Sequence, residues 1–96
     1  DHYDAFPDCQ KEGKSQRVLT AMIYLNDGFK GGATVFERLG LKAIPKAGKL
    51  LVFENCIGST NYIHPNSLHS CEMISKGEKY IATIWLRSKT IHLKTF

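Results

Sequence analysis

Residues 17–25 alternate in character, with Thr20, Met22 and Tyr24 on one face of a predicted strand and Leu19, Ala21, Ile23 and Leu25 on the other. Residues 79–87 divide the same way, Lys79, Ile81, Thr83 and Trp85 standing opposite Tyr80, Ala82, Ile84 and Leu86. In both segments one face carries hydroxyls, and in the second a lysine, while the opposite face is almost wholly apolar. A strand that is apolar on its outside must be covered by something. The mixed faces are therefore expected to line the inside of a barrel, where a ligand would sit.

Shorter stretches extend the pattern. Residues 33–36, 41–45 and 49–54 read as strands, punctuated by Asn26-Asp27-Gly28, Gly31-Gly32 and Lys46-Ala47-Gly48. A strand is also expected around residues 67–74, after a looser stretch at 55–66. Residues 8–16 read as a polar loop following a short opening strand, and residues 88–96 as a C-terminal tail or edge strand. Short strands with turn signals between them, and no long helical period, indicate an all-β sandwich or barrel. Residues 1–96 read as a single domain of limited core.

A hydrophobic content of 43% is that of a globular chain. The apolar runs fall short of the roughly 20 residues that span a membrane. The formal net charge is +4, but Lys11, Lys14, Lys30, Lys42, Lys46 and Lys49 are scattered over predicted loops as a solvated surface. No basic stripe interleaves with aromatics, so nucleic acid is not an expected partner. Cys9, Cys56 and Cys71 lack C-x-x-C spacing and cannot all pair, which argues against a disulfide scaffold or structural zinc and leans towards the cytoplasm.

The candidate chemistry lies in His2-x-Asp4 and His69. Two imidazoles and one carboxylate form a facial metal triad with open coordination positions, which suits non-haem Fe(II) acting on O2. An H-x-D pair alone is weak, because a solvated His beside an Asp is the ordinary explanation. Lys79, ten residues beyond His69, strengthens it, since a fixed cation beside a metal suits a chelating co-substrate with a distant carboxylate. The plain alternative is a lysine that snorkels to the barrel mouth. A buried ammonium without a counter-charge would be destabilised, so with the site empty Lys79 is expected to be partly neutral or water-solvated. Among the remaining candidates, His64 and His92 read as surface histidines. Cys71 is expected to border the metal as a packing residue, and Arg87 is either a solvated strand end or a substrate contact.

Taken together, His2-Tyr3-Asp4, Tyr24-Leu25-Asn26-Asp27, Gly31-Gly32-Ala33-Thr34-Val35-Phe36, Pro45-Lys46-Ala47-Gly48, Ser67-Leu68-His69 and Gly77-Glu78-Lys79 through Arg87 resemble the catalytic core of the prolyl 4-hydroxylases, within the Fe(II)/2-oxoglutarate dioxygenases. The resemblance covers nearly all of residues 1–87. It implies a double-stranded β-helix, or jelly roll, with His2, Asp4 and His69 holding Fe(II). It further implies 2-oxoglutarate chelated to the metal, its far carboxylate on Lys79, with Tyr24, Thr34 and Thr83 lining the pocket and Trp85 walling it. The implied reaction consumes O2 and hydroxylates a prolyl residue in a peptide or protein, releasing succinate and CO2, with ascorbate as a supporting reductant. Gly-Gly-Ala-Thr stands where the family more usually has Gly-Gly-Glu-Thr.

A metal ligand at position 2 and the lack of helices to cover the apolar strand faces suggest a core incomplete at its N-terminus. A homo-oligomer covering those faces is the alternative. Inactivity is expected of such a fragment alone more than of its parent. Animal and many plant relatives work in the secretory pathway, which keeps that compartment open beside the cytoplasm. Rival functions are a related oxygenase acting on another substrate, a non-catalytic interaction module keeping the fold, and a cupin-like Zn or Mn protein. The last of these would not ordinarily pair this triad with a lysine at this offset.

Overall fold

The computed structural model describes residues 1–11 and 13–89. Eight strands follow in order: β1 (Arg17–Tyr24), β2 (Lys30–Gly31), β3 (Thr34–Phe36), β4 (Leu41–Ala43), β5 (Leu50–Glu54), β6 (Ser70–Cys71), β7 (Ile74–Lys76) and β8 (Ile81–Arg87). Among the described residues the only helical elements are three-residue 3-10 turns, at Pro7–Cys9, Glu37–Leu39 and Pro65–Ser67. The chain is all-β, as its alternation predicts.

The strands form three antiparallel sheets, ordered β5-β1-β8, β2-β7 and β4-β3-β6. Register makes the two faces of the first sheet explicit. Thr20 sits between Phe53 and Trp85, and Met22 between Leu51 and Thr83, on the inner face. Ala21 sits between Val52 and Ile84 on the outer face. Thr20, Met22 and Tyr24 are buried together with Thr34 and Phe36 of β3, so the core lies between β5-β1-β8 and β4-β3-β6. The outer face is open, with Leu50 61% and Ile84 63% exposed.

Three differences from the sequence-based expectation have local causes. The opening strand is reduced to a single bridge, His2 to His69, whose backbone N–H groups each donate to the other residue's carbonyl. The strand expected at residues 67–74 is broken. His64 Nδ1 accepts from the Asn66 amide and caps a 3-10 turn at Pro65–Ser67, and β6 and β7 then pair into different sheets. β2 is too short to produce a period. It exists because Gly31, at φ +83°, lets its backbone lie against Met73. His92 and residues 90–96 of the expected tail strand lie outside the described residues.

Candidate functional site

Six parts of the chain converge on one cavity of about 310 Å³, lined among others by His2, Asp4, Thr20, His69, Thr83 and Trp85. At one end, one ligand atom each from His2, Asp4 and His69 lies within 4.8 Å of the others. Asp4 Oδ1 is 3.2 Å from His2 Nε2 and 3.5 Å from His69 Nε2. The reciprocal bridge between His2 and His69 is what brings residues so distant in sequence together.

The second atom of each inner group is already engaged. His69 Nδ1 lies 2.8 Å from the Ser67 carbonyl oxygen, a partner that can only accept. The proton therefore sits on Nδ1, and Nε2 keeps a free lone pair. Phe36 and Phe53 pack around the same ring at 5.4 and 5.0 Å between centroids, leaving His69 5% exposed. Asp4 Oδ2 accepts from the Thr20 hydroxyl at 2.8 Å and the Trp85 indole N–H at 3.3 Å. Two imidazole nitrogens and one carboxylate oxygen thus face one point, with the His69 lone pair free, a donor set that fits a divalent transition metal.

Lys79 lies just before β8 rather than within it. Its ammonium donates to the Gly32 carbonyl at 2.8 Å and stands 5.6 Å from the centre of the Tyr24 ring. A backbone acceptor thus holds the end of the half-buried Lys79 side chain. Tyr24 and Thr34 are both buried, their hydroxyl oxygens 2.8 Å apart. The hydroxyl of Thr83 lines the cavity with Thr34, and Trp85 walls it.

With this geometry in place, residues 1–87 match the model of the 2OG-Fe(II) oxygenase superfamily. The chain belongs to this superfamily. Among curated relatives, a mimivirus protein (Acanthamoeba polyphaga mimivirus) bearing the name of a prolyl 4-hydroxylase is 40% identical over 93% of this chain and 39% of its own length. Prolyl 4-hydroxylase 13 of Arabidopsis thaliana is 33% identical over 93% of this chain and 38% of its own. The solved viral collagen prolyl hydroxylase of Paramecium Bursaria Chlorella virus-1, in its 2OG complex, superposes with a TM-score of 0.79 at 33% identity, covering 93% of this chain and 51% of that one. The oxygenase core is accordingly a jelly roll. The chain spans about two-fifths of the length of the curated relatives it matches.

Two side-chain amides support the candidate site in roles that the motifs do not signal, Gln16 outside them and Asn26 within Tyr24-Leu25-Asn26-Asp27. Gln16, fully buried, accepts from the Phe6 and Arg17 amides and donates to the Phe6 and Asn61 carbonyls, anchoring the segment that carries His2 and Asp4. The Asn26 side chain donates to the Glu78 carbonyl and accepts from the Tyr80 amide, clamping the peptide units either side of Lys79. Nothing local marks either amide in the sequence. Thr20, by contrast, is signalled by its place on the mixed face of β1.

The remaining candidates fall as follows. Cys71 is exposed and borders the cavity. His64 caps a turn, where a plain surface histidine was expected. Arg87 donates to the Ser15 hydroxyl and carbonyl, so it ties β8 to a loop and is not a loose strand end.

Proposed function

We propose that this chain is the catalytic core of an Fe(II)- and 2-oxoglutarate-dependent dioxygenase that hydroxylates prolyl residues in a peptide or protein. The observation that carries the reading is the convergence of His2 Nε2, Asp4 Oδ1 and His69 Nε2 at the cavity, where Thr34 also lines the wall and links through the Tyr24 hydroxyl towards Lys79. In this reading His2, Asp4 and His69 hold the metal. Lys79 binds the far carboxylate of 2-oxoglutarate, with Tyr24, Thr34 and Thr83 as hydroxyl partners.

When bound, iron and 2-oxoglutarate supply the oxidising chemistry that turns O2 and a C–H bond into an alcohol, succinate and CO2. The side chains bind and orient. The Ser67 carbonyl keeps the proton of His69 on Nδ1, so the ring offers Nε2 throughout. Phe36 and Phe53 exclude water from that imidazole. Trp85 forms part of the cavity wall, its indole N–H reaching the Asp4 carboxylate. Catalysis here is positioning, with no side chain needed as a general acid.

Ascorbate belongs to the proposal as the reductant that restores the metal after unproductive turnover. Prolyl specificity is supported by the names of the relatives, and the intact ligand set favours an enzyme over a non-catalytic module. Anaerobic titration with Fe(II), with and without 2-oxoglutarate, tests the core claim. A weak visible charge-transfer band that requires both supports the reading. Its absence with both present contradicts it.

A further inference from the structure

Asp4 has two carboxylate oxygens in different surroundings. Oδ1 faces the two imidazole nitrogens, whereas Oδ2 takes hydrogen bonds from Thr20 at 2.8 Å and Trp85 at 3.3 Å. Behind Thr20, the Asn55 side-chain amide donates to the same hydroxyl oxygen at 2.7 Å. Thr20 is 2% exposed and Asn55 fully buried, so water does not compete for either group.

A single proton fixes the direction of this relay. A carboxylate oxygen can only accept, so Thr20 must spend its one hydroxyl proton on Asp4. Its oxygen then has only acceptor capacity left, and whatever faces it from Asn55 must donate. That requires the NH2 end of the carboxamide towards Thr20, leaving Asn55 Oδ1 buried without a partner among the described residues. An unpartnered buried carbonyl is costly. The relay tolerates that cost only in the orientation that drives the hydroxyl proton to Asp4.

We propose that Thr20, backed by Asn55, and Trp85 are positioning residues that fix the rotation of the Asp4 carboxylate, reserving Oδ1 for the metal and denying it Oδ2. The proposal rests on the reading of His2, Asp4 and His69 as the metal site. Thr20 comes from β1 and Trp85 from β8, neighbours in register, so the sheet itself presets the carboxylate before a metal arrives. Groups of this kind behind a ligand typically contribute 10- to 100-fold in metal affinity.

Mn(II) binding, followed by the electron paramagnetic resonance of the free ion, provides a readout independent of turnover. Thr20→Val removes the hydroxyl at nearly constant shape and is expected to weaken Mn(II) binding by about 10- to 100-fold. Thr20→Ser restores the donor and should return affinity close to wild type, a rescue that a purely structural role for the methyl group would not give. With Mn(II) saturating, 2-oxoglutarate affinity should be unchanged in Thr20→Val, since Lys79 is untouched. Should Thr20→Val fail to fold by circular dichroism, Trp85→Phe removes the other donor at a position 39% exposed and must itself weaken Mn(II) binding. Wild-type affinity in a folded Thr20→Val, or no rescue by serine, overturns the proposal. A wild-type protein that binds no Mn(II) at all instead overturns the metal-site reading, and this proposal with it.

Discussion

At the scale of single residues, Lys79 and Cys56 make opposite uses of burial. The Lys79 ammonium has one acceptor, the Gly32 carbonyl, and a neutral ring beside it. A dicarboxylate would give it a full counter-charge. Removing one partner of a buried ion pair costs about 3–5 kcal/mol, and because Lys79 is half-buried the lower end applies. Lys79→Ala should therefore raise the 2-oxoglutarate concentration needed for turnover on the order of 100-fold, with the iron requirement nearly unchanged. Steady-state titration of each in turn checks the split, and unchanged co-substrate affinity would contradict the assigned pocket. Cys56 is buried, and desolvation raises its thiol pKa above the ordinary value. The sign follows from linkage: the unfolded thiol ionises first, so the stabilisation is complete below the ordinary thiol range and declines as pH rises through the folded value. Thermal unfolding of wild type and Cys56→Ala, compared from neutral to alkaline pH, should show the steeper alkaline decline in wild type.

At the scale of elements, the turns decide which strands meet. Gly31 sits at φ +83°, and a Cβ there would run into the Met73 carbonyl oxygen. Gly31→Ala should cost at least about 1–2 kcal/mol from the backbone conformation alone. It should also loosen the β2-β7 pairing beside the Gly32 carbonyl that holds Lys79. Chemical denaturation measures the first effect. A lowered 2-oxoglutarate affinity, with metal affinity kept, reports the second. What was legible in the sequence follows the same division. β1 and β8 are long enough for alternation to announce both their existence and their inner faces, and Thr20, Met22, Tyr24, Thr83 and Trp85 all point as that alternation requires. The break at Pro65–Ser67 was not legible, because it depends on a histidine side chain capping a neighbouring amide. Gln16 and Asn26 were hidden for a related reason. Each is a lone carboxamide whose bonds to other segments reach 10 and 45, or 52 and 54, residues away. No local period encodes such a bond.

At the scale of the molecule, the site draws on almost every layer of the fold. His2 and Asp4 precede the first strand, Thr20 and Tyr24 belong to β1, and Thr34 to β3. Phe53 comes from β5, and Thr83 and Trp85 from β8. His69, next to β6, is set in the site by its bridge to His2 and by the rings of Phe36 and Phe53. Occupation of the site would therefore tie the His2–Asp4 segment, otherwise attached by a single bridge and a few side-chain contacts, to the sheets, while the outer face of β5-β1-β8 stays open to solvent. A ligand that binds only the folded chain stabilises it by about 2.7 kcal/mol at 100 times its dissociation constant, which in a domain of this size shifts the unfolding midpoint on the order of 10 °C. Mn(II) with 2-oxoglutarate, which cannot sustain turnover under nitrogen, should produce such a rise in scanning calorimetry, and 2-oxoglutarate without metal much less. His69→Ala should abolish the rise with both ligands present, because it removes one of the three proposed metal ligands while keeping the backbone bridge to His2. Lys79→Ala should keep the part due to Mn(II) and lose the increment due to 2-oxoglutarate. An equal increment in both variants would mean that the two ligands bind elsewhere on the chain.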